Sequence, residues 1–236
     1  MKNVIKNLVV TGALLSTAAA NADFMSDINP YIGANYNHVW MKGNNVYGKL
    51  FPKSYPGATF YLGTRFHENF AVELGYDVAR TKKHNWTQVA GTQFGNIVLP
   101  APSYTGTTKV SRQGGHLDLV GFAKVVENFD LFGSVGFGLV RTKIKFLNIT
   151  GIPALNNGVL ALNSITAGNH KHKGVFRLGL GANYMLTDMV GLQAKVGWET
   201  SSNLRVKGDA NFMALALPKK GFKDSLTTAA GIFVKM

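Results

Sequence analysis

Residues 70–80 alternate without a break: Phe70, Val72, Leu74, Tyr76 and Val78 stand between Ala71, Glu73, Gly75, Asp77 and Ala79. A period of two sends successive side chains to opposite faces, so this segment predicts a strand with one apolar and one small or charged face. The pattern holds over 115–126, where Leu117, Leu119, Ala123 and Val125 oppose His116, Asp118 and Lys124. It holds over 129–142, where Phe129, Leu131, Val135, Phe137 and Leu139 oppose Asp130, Ser134, Gly136 and Gly138. Over 174–186, Phe176, Leu178, Leu180, Ala182, Tyr184 and Leu186 oppose Arg177, Gly179, Gly181 and Asn183. Over 189–200, Val190, Leu192, Ala194, Val196 and Trp198 oppose Gln193, Lys195, Gly197 and Glu199. Weaker copies at 30–41, 56–66 and 225–236 bring the predicted strands to eight. Each is long enough for the ~9–11 residues that carry a tilted strand across a bilayer.

The connections sort themselves. Segments 67–69, 127–128 and 187–188 are tight, whereas 42–54, 81–111, 147–172 and 201–222 are long, and the two kinds alternate strictly. An up-and-down barrel crossing a membrane has this arrangement, with short periplasmic turns and long outer loops. In hydrocarbon every backbone N–H and C=O needs a partner, and a sheet supplies them all only by closing on itself. The predicted fold is therefore all-β: an eight-stranded antiparallel up-and-down transmembrane β-barrel, apolar faces toward lipid, charged and glycine faces toward the axis. Such a lumen is narrow enough for side chains to fill. Aromatic girdles are expected at Phe66, Phe70, Phe129 and Tyr184 on the short-turn side and at Trp40, Tyr55 and Trp198 on the other. A soluble lipocalin-type barrel, with the apolar face inside, is the competing architecture.

Composition narrows the class. Only 16% of residues are charged, against about 25% in an average soluble domain. Aromatics reach 11% and glycines number 27, which excludes a disordered chain and a long coiled coil. With no cysteine there is no disulfide framework, thiolate metal site or cysteine nucleophile. Residues 1–22 read as a secretory signal peptide: Lys2 and Lys6, the apolar run Leu8–Ala20, then the small-x-small site Ala20-Asn21-Ala22. Cleavage there leaves 23–236 as one barrel domain. It removes two of the 25 cations and none of the 12 acids, leaving a charge of +11. An exported chain of that charge meets anionic lipid, lipopolysaccharide or surface glycans before it meets nucleic acid.

The segments "PYIGANYNHVW", "FAVELGYDVA", "DLFGSVGFGLVRT", "FRLGLGANYMLTD" and "GLQAKVGWE" resemble the small outer-membrane barrels of Gram-negative bacteria. The resemblance spans residues 29–236 and points to the OmpA-like transmembrane domain and the opacity-protein group, with the OmpW type as a neighbour. It implies insertion by the barrel-assembly machinery and roles in envelope integrity, adhesion or passage of small solutes. It also implies location in the outer membrane after cleavage near Ala22. No peptidoglycan-binding segment follows the last strand, so cell-wall anchoring is not expected. The family's last strand usually ends in an aromatic residue, whereas this one ends in Met236 with Phe233 on the other face.

The lumen candidates are Arg65, Glu73, Asp77, Asp118, Lys124, Arg177, Lys195 and Glu199, four basic and four acidic. Buried charge is tolerated when paired, so this balance predicts a self-satisfied plug. The sharper alternative is a polar path gated by those ion pairs. His116 shares a face with Asp118, but no serine stands where a Ser-His-acid set would need it. The pair His170 and His172 is flanked by Lys171 and Lys173, which repel a cation. No catalytic residue, cofactor or metal is expected.

The long connections carry apolar residues (Ile97-Val98-Leu99, Leu147, Ile149, Ile152, Leu155, Val159, Leu160, Leu162, Ile165, Met213, Leu215, Leu217). They also carry the cations Lys82, Lys83, Lys171, Lys173, Lys207, Lys219, Lys220 and Lys223. Hairpins that extend beyond the membrane and pack over the barrel mouth account for both. The expected role is a non-catalytic contribution to envelope structure and surface interaction. A narrow porin-like channel for small or apolar solutes is the alternative, and a lipid-modifying enzyme a minor one. The expected partners are outer-membrane lipid, lipopolysaccharide and the assembly machinery, with host surface glycans or receptors beyond them and no nucleic acid.

Overall fold

The structure, a computed structural model, describes residues 28–43, 51–88, 93–94, 97–98, 104–150, 173–200 and 222–236. The predicted signal peptide, the His170/His172 pair and most of the apolar loop residues lie outside them. The described residues form ten strands: β1 (Asn29–Gly43), β2 (Ser54–His67), β3 (Phe70–Gln88), β4 (Gln93–Phe94), β5 (Ile97–Val98), β6 (Tyr104–Val126), β7 (Phe129–Thr150), β8 (Lys173–Met185), β9 (Val190–Glu199) and β10 (Phe222–Lys235). Strands β4 and β5 form a separate two-residue hairpin. The other eight close into one antiparallel barrel, each paired with its neighbour along the chain and β1 with β10.

The stagger of that ring follows from its registers. A path perpendicular to the strands leaves Tyr31 and passes Gly63, Glu73, Asp118, Gly136, Arg177, Glu199 and Ser225. It re-enters β1 at Met41, ten residues further on. For eight strands this stagger sets a tilt of about 40° and a backbone radius of about 8 Å. Each residue then climbs about 2.5 Å along the axis, so the ~25 Å apolar band of an outer-membrane barrel takes about ten residues per strand.

The apolar set faces outward. Leu119, Leu180 and Val196 are 47%, 72% and 51% exposed, whereas their chain neighbours Asp118 and Gly179 are buried. A soluble barrel would bury the first set. Phe66, Phe70 and Tyr184 are exposed near the turn end and Trp40 near the other. Tyr55 does not join the outer girdle. It is 0% exposed, because it shares the parity of Tyr61 and Arg65 and points inward.

Tight turns close the periplasmic end at Glu68-Asn69 and Glu127-Asn128, and Asn tolerates the left-handed backbone such loops demand. At the third, Thr187 Oγ1 accepts from the Val190 amide at 3.0 Å. The outer end departs from expectation. Strands β3, β6 and β7 run through much of what reads as loop, to Gln88, from Tyr104 and to Thr150. They make a three-stranded wall rising beyond the band on one side of the mouth.

Candidate functional site

The inward positions form layers. At the turn end, Arg65 donates to Asp130 Oδ2 at 2.8 Å, and its guanidinium lies 3.8 Å from the centroid of the Phe122 ring. Above this, Tyr31, Tyr61, Ala71, Val120, Phe122, Phe132 and Phe233 form one buried cluster, with Met185 packed against it. Glycines make the cluster possible. Tyr61 lies across Gly33 and Tyr31 across Gly63, while Phe132 and Phe233 cover Gly181 and Gly191; a Cβ at any of these would collide with the ring. A barrel only about 8 Å in radius cannot hold five rings unless parts of its wall lack side chains.

Above the rings sits the charge layer. Arg177 donates to Asp77 at 2.5 Å and stands 4.0 Å from Asp118 and 3.9 Å from Glu199. Lys195 donates to Asp118 at 3.2 Å, and Arg112 pairs with Glu199. His116 lies between two carboxylates, Nδ1 3.2 Å from Asp77 and Nε2 3.8 Å from Asp118. Thr59 donates to Asp77 at 2.6 Å and accepts from Asn37 at 2.7 Å. Tyr31 ties ring layer to charge layer by donating to Glu73 at 2.8 Å. A Tyr31→Phe barrel keeps the ring and loses that bond to a buried carboxylate. It is expected to be about 1–3 kcal/mol less stable in a denaturant titration in micelles.

Seven of the eight lumen candidates point inward. Lys124 does not belong with them. It has the inward parity but lies past the Phe122 layer, exposed at the rim opposite Asp130, with no ion pair among the described residues. Arg112 and Asp130 are ion-paired members that the sequence reading omits. Alternation alone gave Asp130 its polar face; Arg112 stands between the predicted loop 81–111 and the predicted strand 115–126.

Among the described residues the lumen holds at least two cavities. One, of about 40 Å³, lies in the charge layer among Asn37, Asp77, His116 and Arg177. The other, of about 20 Å³, lies on the periplasmic side among Asn29, Arg65, Asn183 and Lys235. The rings stand between them. Beyond the charge layer a further inward set is buried: Val39, Met41, Tyr55, Val110, Val140, Ile144 and Val175. Among the described residues no group of three or more His, Cys, Asp or Glu could hold a metal ion.

An eight-stranded closed ring with lipid-facing Leu, Val and Phe and an ion-paired axis is what a bilayer demands of strands. The family model of the outer membrane protein beta-barrel domain matches residues 8–204. This chain belongs to that family. As an outer-membrane barrel it lies in the outer membrane, crossing with strands. No curated protein matches the chain. Among solved structures it is similar to Neisserial surface protein A, with 13% identity, 88% of this chain and 97% of that one covered, and a TM-score of 0.47. It is similar to the outer membrane protein OprG from Pseudomonas aeruginosa, with 10% identity, coverage of 88% and 95%, and a TM-score of 0.48. It is also similar to the outer membrane protease OmpT from Escherichia coli, with 11% identity, coverage of 89% and 96%, and a TM-score of 0.42.

Proposed function

We propose that this outer-membrane barrel serves the envelope by structure and surface contact and neither conducts nor catalyses. The observation that supports this most is the ring layer between two cavities of about 40 and 20 Å³, which hold no more than a few waters each. Catalysis at His116 is disfavoured by its burial: the imidazole is 3% exposed, held between carboxylates inside the wall and away from lipid esters. In this reading the chain is exported, cleaved near Ala22 and inserted by the barrel-assembly machinery. It then stands as a monomer in the lipopolysaccharide leaflet, and host surface glycans or receptors are its outer partners.

Planar-bilayer recording tests the closed lumen. Wild type and Arg65→Ala are both expected to carry no ion current, because breaking the rim pair leaves the rings in place. Steady current from wild type would restore the narrow-channel reading. Deleting residues 151–172 is expected to lower binding to host cells or glycans while the barrel still folds; unchanged binding would remove surface contact from the proposal.

A further inference from the structure

The periplasmic mouth has a charge pattern that the lumen above it does not use. Three cations of inward parity meet there: Arg65 from β2, Lys124 from β6 and Lys235 from β10. Arg65, Lys124, Asp130 and Asp188 all lie within electrostatic reach of the Lys235 ammonium, so these groups converge although their strands are far apart in sequence. Asp130 pairs with Arg65 at 2.8 Å. Lys124 and Lys235 form no ion pair among the described residues. Like charges that share one narrow opening repel each other, and folding by itself gives no reason to gather them.

The mouth also has a shape. A cavity of about 20 Å³ lies among Asn29, Arg65, Asn183 and Lys235, with Phe122 and Phe233 as its floor. Arg65 is held at its edge by Asp130 and by the Phe122 ring, whose centroid is 3.8 Å away. Asn183 lines the cavity and is 5% exposed, yet its side-chain oxygen has no hydrogen-bond partner. Buried side-chain oxygens are nearly always matched, so an unmatched one beside a cavity marks the place of an N–H donor.

Acids stand beyond the cations. Each tight turn carries one exposed carboxylate: Glu68, Glu127 and Asp188. None forms an ion pair among the described residues. Glu68 lies three residues past Arg65 and Glu127 three past Lys124, so at about 2.5 Å per residue they are about 7 Å further from the membrane. Cations within, acids outside them and an acceptor at the cavity wall fit a ligand with a negative end, a positive end and an N–H between. A phosphate dianion fits poorly, because the acids repel its second charge.

We propose that the periplasmic mouth binds the carboxylate end of a short peptide. The terminal carboxylate meets Arg65, Lys124 and Lys235, and the last backbone N–H donates to the Asn183 oxygen. The ammonium end reaches the acids of the turns, since two or three extended residues span about 7–10 Å. This site is on the opposite end of the barrel from the surface contacts proposed above and does not depend on them.

The full chain, isotope-labelled in micelles, is titrated with tri-alanine, its C-terminal amide, its N-acetyl form, acetate and inorganic phosphate, and the NMR shifts of the rim residues are followed. Tri-alanine is expected to bind best. The amide should bind about tenfold more weakly and the N-acetyl form about threefold. The double variant Lys124→Gln, Lys235→Gln should lose about tenfold, from roughly threefold per lysine, with an unchanged melting temperature showing that the fold is kept. Asn183→Ala should weaken tri-alanine but leave acetate, which has no N–H to offer, within about twofold. Lys83→Gln, at the outer end of β3, should leave tri-alanine within about twofold as well. No binding of tri-alanine, equal affinity for its amide, equal affinity in the lysine double variant, or preference for phosphate would each overturn the proposal.

Discussion

Arg177→Ala is expected to cost the barrel about 3–5 kcal/mol, the range for removing one partner of a buried ion pair. The guanidinium reaches Asp77, Asp118 and Glu199 at 2.5, 4.0 and 3.9 Å, so its loss leaves Asp77 without its nearest cation and weakens the pairing of the other two. Lys195 and Arg112 remain, each already committed to one acid. Arg177→Lys should recover only part of the loss, because a compact ammonium cannot face three acids as a planar fork does. Lys124→Ala, an exposed cation, should change stability by less than about 0.5 kcal/mol. Denaturant midpoints in micelles, together with heat-modifiable mobility on gels, give the comparison. An Arg177→Ala barrel within about 1 kcal/mol of wild type would mean the charge layer is not held by pairing.

Phe132→Ala and Phe137→Ala should behave oppositely, although the two residues lie five apart on β7. Phe132 is 4% exposed and packs at 6.1 Å, centroid to centroid, on Phe122 inside the lumen. Phe137 is 57% exposed on the lipid face. Truncating the inner ring should cost about 3–5 kcal/mol, and truncating the outer one far less in micelles, where detergent refills the space. The double variant Phe122→Ala, Phe132→Ala removes two of the rings that part the lumen cavities, so it should pass ions where wild type does not. If Phe137→Ala proved the more damaging of the two, the assignment of inside and outside would be reversed.

The barrel itself was legible in the chain because lipid imposes a strict rule on every second residue. Glu73 and Leu74 fall on their correct sides from alternation alone, and so do Lys195 and Val196. The ring layer was not. Tyr31, Tyr61, Phe122, Phe132 and Phe233 stand at inward positions, where alternation predicts small or polar residues. They become a layer only through registers that join strands distant in sequence, and through the glycines opposite them. Tyr55 was misplaced for the same reason, since an aromatic near a strand end reads as a girdle residue. Hairpins beyond the membrane were expected, but the length of the β3, β6 and β7 strands there was not legible, because lipid sets no alternation above the band. Above the band no face need be greasy, so Lys82 and Lys83 read as loop cations, and the shift after Ala79 erases the alternation where β3 leaves the membrane.

The seam of the ring has a kinetic consequence. Tyr31 pairs with Lys235, and the amide of Met236 donates to the carbonyl of Pro30 at 2.9 Å. Some two hundred residues of chain must therefore be threaded before the last hydrogen-bond ladder exists, and until it does two bare edges face whatever is nearby. High contact order of this kind makes folding slow and late. Until that ladder closes, the Leu, Val and Phe of its lipid face stay uncovered wherever water surrounds the chain, so the barrel's apolar coat and its two open edges are exposed together.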